Sequence, residues 1–219
     1  MRKSVRRTLF RLAPARLLVA WLALVRGKRA RIFQAHGWAR SVRALLPIDE
    51  HGEPVPYVPY CVTALLEERL SADFSVLEFG AGYSTLFLMK RVRQVTALEH
   101  HADWVATLRS RITDNVELIA VPADPAEAYC AAALAATQPY DLIVVDGRHR
   151  VVCFETALQR LSTRGVVLLD DSDRRSYASI FERARAAGFR ALTLEGHKPA
   201  SLNLHRSTFF YRDGNCLSL

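Results

Sequence analysis

Residues 75–85 read SVLEFGAGYST: an apolar run that ends in an acidic residue, a Gly-x-Gly turn at Gly80–Gly82, and polar residues that open a helix. Glycine permits the positive φ of a tight turn and lets a ligand approach the backbone without a Cβ in the way. The turn and the helix start together form a polar cradle at a strand end. Outward from this stretch, short apolar runs alternate with longer amphipathic ones, the pattern of β-α units around a parallel sheet. Strands are expected at 75–79, 94–99, 115–120, 141–146 and 165–170, with two more near 189–194 and 205–212. Helices are expected at about 60–70, 84–92, 102–112, 125–137, 151–162 and 174–187, the last closing at Gly188. Runs such as IVV and VVLL are continuously apolar, as strands buried on both faces are.

Nineteen residues after Gly80 comes Glu99, at the end of the second expected strand. An acidic side chain at that spacing is placed to accept hydrogen bonds from both hydroxyls of a ribose. Dinucleotide-binding folds share both features, so a nicotinamide- or flavin-type oxidoreductase stands as an alternative. Against it, Thr85 replaces the third glycine of GxGxxG, and Glu78 stands directly before the turn. A carboxylate there opposes a pyrophosphate but suits the ammonium of an amino-acid cofactor.

Taken together, these motifs resemble the class I S-adenosylmethionine-dependent methyltransferases over roughly residues 55–219. EFGAGYST is similar to the glycine-rich first motif, Glu99 with His100 to the acidic end of strand two, DLIVVDGRHR to the fourth motif, and GVVLLDDSDR to the strand-five motif. Trp104, Arg148, Arg150, Asp173, Arg174 and Tyr177 also match a subgroup of small methyltransferase-domain proteins. The resemblance implies a Rossmann-like, seven-stranded, mostly parallel sheet with helices on both faces. It implies S-adenosylmethionine as cofactor, with Glu78 and Gly80 at its methionine part, Glu99 at its ribose and His100 beside its adenine. Asp124 would lie near the adenine amino group. Ala81, Gly82, Tyr83, Ser84 and Thr85 complete the binding turn, and Ser84 is a candidate N-cap.

Asp146, Asp170 and Asp171 end strands on one rim of the sheet, where ligands of open α/β folds bind. Metal-dependent O-methyltransferases hold magnesium with acidic residues at such places, which makes these three the metal candidates. The competing reading, preferred here, leaves them without metal: Asp146 orients the acceptor or the cofactor amine, and Asp170 or Asp171 caps a helix. His149 is three residues beyond Asp146, within reach as a general base. Arg148 is assigned to a carboxylate or phosphate of the acceptor and Arg150 to structure. The expected reaction is O-methylation of a small-molecule or glycan-type hydroxyl, with Asp146, Arg148 and His149 as the catalytic set.

The charge is uneven. Residues 1–43 hold twelve Arg or Lys and no Asp or Glu, leaving eighteen basic against twenty-two acidic residues afterwards. The body is mildly acidic, and the basicity belongs to an arm, which is drawn to any polyanion whatever its sequence. Within the arm, Leu17–Val25 (LLVAWLALV) is nine residues long, short of the about 20 a spanning helix needs. It is expected to be a helix that lies on a membrane or docks on the body, with a targeting segment and an active-site lid as alternatives. Pro-rich residues 44–60 divide a helical arm, 1–46, from a methyltransferase domain, 47–219. The four cysteines form no CxxC pair and suit a reduced, cytoplasmic setting, with membrane association through the arm as an option. Nucleic acid remains an open partner, and a non-catalytic scaffold that uses the arm is the alternative outside enzymes.

Overall fold

The computed structural model describes residues 36–219. The helix expected at Leu17–Val25, and with it nearly all of the arm, lies outside the described residues. The elements in chain order are α1 (Trp38–Ala44), α2 (Tyr60–Arg69), β1 (Ser75–Phe79), α3 (Tyr83–Leu88), β2 (Gln94–Glu99), α4 (Ala102–Arg109), β3 (Val116–Ala120), α5 (Ala126–Ala135) and β4 (Tyr140–Val145). They continue with α6 (Arg150–Arg160), β5 (Leu161–Leu169), a 3₁₀ turn (Arg175–Tyr177), α7 (Ala178–Ala186), β6 (Arg190–His197) and β7 (Leu204–Tyr211).

The seven strands form one sheet in the order β3-β2-β1-β4-β5-β7-β6. The first five run parallel, and β7 runs antiparallel between β5 and β6. Every residue of β1 is buried, and adjacent residues face opposite layers. Leu77 and Phe79 join Ile143, Val145, Val167 and Leu169 beneath α5, α6 and α7. Val76 joins Val95, Ala97, Leu142, Val144 and Val166 beneath α2 and α3. Burying a side chain such as Phe79 contributes about 1.5–3 kcal/mol, so two such layers fix the register of the sheet. The sheet order reverses between β1 and β4, and at such a switch point a crevice opens at the C-terminal strand ends.

Several element ends differ from the sequence reading. The helix expected over 84–92 stops at Leu88: the Arg91 side chain donates to Phe87 O at 3.0 Å, while the Arg91 N–H turns back to Leu88 O. The last helix starts at Ala178 because a 3₁₀ turn takes up its first residues. The strand expected at 165–170 begins at Leu161, immediately after α6. Helix α1, from the stretch assigned to the arm, packs on the body. Trp38 is 1% exposed and donates its indole N–H to Ser201 O at 2.8 Å. Among the described residues no helix is long and apolar enough to cross a membrane.

Candidate active site

Gly80 follows β1 with φ +94°, and a Cβ there would meet Gly147 Cα at 2.9 Å. Two backbones therefore touch at the switch point, one after β1 and the other after β4. The helix N-cap is Gly82, so Ser84 falls in the first turn of α3 and does not cap it. The capping is done by Thr85, whose Oγ1 accepts the Gly82 N–H at 2.9 Å and donates its own hydrogen to Glu78 Oε2. Trp104 secures the middle of the turn by donating its indole N–H to Ala81 O at 2.9 Å. Side chains from β1, α3 and α4 thus hold one three-residue loop, Gly80–Gly82.

Beside the loop lies a cavity of about 390 Å³, lined by Gly80, Ala81, Gly82, Tyr83, Ser84, Glu99, His100, Asp146, Gly147 and Arg148 of the strand ends, with Pro47 and Tyr57 closing it from the N-terminal side. Glu99 Oε1 accepts the backbone N–H groups of His100 and His101 at 2.8 and 2.7 Å, which aims the carboxylate along the cavity wall. Glu78 is fully buried behind the loop. Burial pushes its carboxyl up to about 7, against the Ser84 and Thr85 hydroxyls. Its Oε1 has no hydrogen-bond partner, an expensive state for a buried oxygen unless a ligand supplies the donor.

Asp146 follows β4 and lines the cavity. Burial and the Asp170 charge push its carboxyl up to about 8, even though Arg150 donates to its Oδ1 at 2.6 Å. Arg150 is buried and also reaches Gly147 O and Asp170 O, so it ties together the loops after β4 and β5.

Other candidates fall elsewhere. His149 caps α6 with φ +48°, and its Nε2 lies 2.8 Å from Ala123 O and 2.9 Å from Asp124 Oδ1, away from the residues lining the cavity. Asp124 is exposed and pairs with Arg148 at 3.1 Å instead of lining the cavity. Thr85 supports the loop from within the core. Asp170 and Asp171 meet a residue the sequence did not single out, Lys198, whose Nζ lies 2.5 Å from Asp170 Oδ2 and 2.7 Å from Asp171 Oδ1. Asp171 also takes Arg174 at 2.5 Å. Burial raises the Asp171 carboxyl, but Lys198, Arg150 and Arg174 outweigh it and hold the group below the usual carboxylate range. No cluster of three or more His, Cys, Asp or Glu side chains suited to a metal ion occurs among the described residues.

Tyr57, Pro47 and Gly147 were missed as lining residues. Tyr57 and Pro47 sit in the proline-rich stretch read only as a connection, and aromatic residues among those prolines were the one available signal.

Residues 77–172 match a protein-family model described as a methyltransferase domain. Over these residues the chain is similar to a methyltransferase domain. The methyltransferase fold extends over most of the described chain. A methyltransferase from Pyrococcus furiosus shares it with a TM-score of 0.54 at 19% identity, over 84% of this chain and 98% of that one. An O-methyltransferase from Bacillus cereus, solved with S-adenosylhomocysteine, gives 0.56 at 19% identity, over 68% and 78%. A precorrin 8W decarboxylase from Methanobacterium thermoautotrophicum gives 0.55 at 18%, over 70% and 87%. At such identities likeness to solved structures carries the fold only. No curated protein matches the sequence. The unpaired Glu78 Oε1 suits the ammonium of S-adenosylmethionine better than it suits a dinucleotide pyrophosphate.

Proposed function

We propose that the domain methylates a hydroxyl oxygen of a small-molecule or glycan-type acceptor. Asp146 carries the reading: it is a carboxylate on the cavity wall beside the glycine turn, with one oxygen held by Arg150 and a proton affinity near that of a working base. A hydroxyl must lose its proton as it is alkylated, and a carboxylate titrating near neutrality is suited to take it.

Bound S-adenosylmethionine supplies an electrophilic methyl group. Glu78 Oε1 would hold its ammonium, Glu99 its ribose hydroxyls and His100 its adenine side, with Gly80, Ala81, Gly82, Tyr83 and Ser84 as the floor. Asp146, ionised, takes the acceptor proton on Oδ2 while Arg150 fixes Oδ1. Arg148, half-exposed at the rim, can exchange its pair with Asp124 for an acidic group on the acceptor. Tyr57 closes the cavity and helps exclude water, so that alignment supplies much of the rate. His149, held by Ala123 and Asp124, orders the loop and takes no proton.

Calorimetry with S-adenosylmethionine and with NAD tests the cofactor half. Binding of the first alone, lost in Glu99→Ala, is expected; binding of NAD alone would overturn the reading. Transfer of labelled methyl to a hydroxyl panel tests the acceptor half, and transfer only to amines would overturn it.

A further inference from the structure

Lys198 follows β6 and points inward until it is only 1% exposed. A buried ammonium is costly unless it is closely paired, and this one is: Nζ bridges Asp170 Oδ2 and Asp171 Oδ1. Ser207 donates to Asp170 Oδ1 at 2.7 Å, Arg174 to Asp171 Oδ2, and Arg150 to Asp146 Oδ1. Five of the six oxygens of these three carboxylates are therefore engaged by protein donors, leaving Asp146 Oδ2. Three cations, Lys198, Arg150 and Arg174, face these carboxylates, so the chain itself supplies at least as much positive charge as they carry, without a divalent ion. His205 adds a further nitrogen, its Nδ1 lying 3.3 Å from Asp171 Oδ1. Magnesium needs several open oxygen ligands in octahedral array, and here it would meet an ammonium in their midst.

We propose that Lys198 is the resident cation beside this cavity, pairing Asp170 and Asp171 so that these carboxylates, with Asp146, do not hold a divalent metal. It is a positioning residue: it holds the ends of β5 and the β6–β7 connection together behind Asp146. Its Nζ lies 5.2 Å from the ring centre of Tyr57, so it also backs the cavity wall. The consequence is a cluster whose charge does not vary with the supply of metal. The proposal concerns metal binding and stands whatever the acceptor proves to be.

Manganese, followed by its paramagnetic resonance signal, is the probe. The wild-type protein is expected to leave the ion free. Lys198→Ala, which bares two carboxylates, is expected to bind it at least about tenfold more tightly. The gain should vanish in Lys198→Ala/Asp171→Asn, and Lys198→Arg should behave as wild type. A merely structural lysine would give a folded variant with none of this pattern. Manganese bound by the wild type and lost in Asp171→Asn would overturn the proposal, as would a folded Lys198→Ala that gains no affinity. Should Lys198→Ala not fold, the comparison of wild type with Asp171→Asn decides alone: no ion held by the wild type supports the proposal, and an ion held through Asp171 sinks it.

Discussion

Thr85 donates its hydroxyl hydrogen to Glu78 Oε2, and this single bond leaves the other oxygen of a fully buried carboxylate without a partner. The pairing orients Glu78 while keeping Oε1 vacant, and burial holds the group protonated up to about pH 7 in the free protein.

The first prediction follows from that proton. A cofactor ammonium favours the ionised carboxylate, so binding S-adenosylmethionine below pH 7 must expel the proton. Affinity is expected to fall as pH drops from about 8 towards 6, by up to about tenfold per unit. Calorimetry in two buffers of different ionisation heat should show release of nearly one proton at pH 6. For stability the sign runs the other way: the folded pKa lies above the ordinary value of 4.5, so Glu78 costs stability as pH rises from there through about 7. Glu78→Gln should therefore melt higher than wild type at pH 8 yet bind cofactor poorly. A pH-independent affinity would show that Glu78 does not meet the ammonium.

The two glycines of the turn should fail in different ways. Gly80→Ala imposes a Cβ at φ +94° and within 3.0 Å of the Gly147 backbone, with no flexible neighbour to yield. It should destabilise the domain by about 1–3 kcal/mol, visible in thermal unfolding. Gly82 has an extended backbone, and its nearest neighbour for a Cβ is Ser84 Oγ at 4.0 Å. Gly82→Ala should fold normally and lose cofactor affinity, because the added methyl sits on the cavity lining. Equal melting of the two variants would contradict this account.

Asp146 and His149 are distinguished by the pH dependence of kcat/KM. If Asp146 is the base, activity rises with pH and levels off above about 8, since the ionised form is the active one. Asp146→Asn should remove that rise along with most of the rate, by roughly 10²–10⁴-fold. His149→Ala should keep the shape of the profile, because its ring is bound to Ala123 and Asp124 outside the cavity lining. A profile flattened by His149→Ala alone would reassign the base.

The fold was legible because its determinants are local and repeated. Apolar runs such as LIVV, a glycine turn at one strand end and Glu99 at the next encode β-α units whose order then follows from packing. The position of the glycine turn was legible for the same reason: Glu78, the turn and Glu99 lie at neighbouring strand ends, so spacing along the chain maps onto distance in space.

Of the acceptor side, only Asp146 and Arg148 were named from the sequence. Only the aromatic residues among the prolines of HGEPVPYVPY hint at Tyr57 as a cavity wall, and nothing in GHKPASLNLH marks Lys198 as buried. Lys198 meets Asp170 from 28 positions away, and Trp38 meets Ser201 from 163. His149 shows the converse: three residues from Asp146 in sequence, it is turned away by its backbone at φ +48° and a hydrogen bond to Ala123. The sequence by itself determined the sheet, the helices around it and the glycine turn at the end of β1, because periodicity and turn chemistry act between near neighbours. Which carboxylate is left open and which is neutralised was decided only by the tertiary structure, because burial and charge pairing depend on what distant segments bring to the same few ångströms.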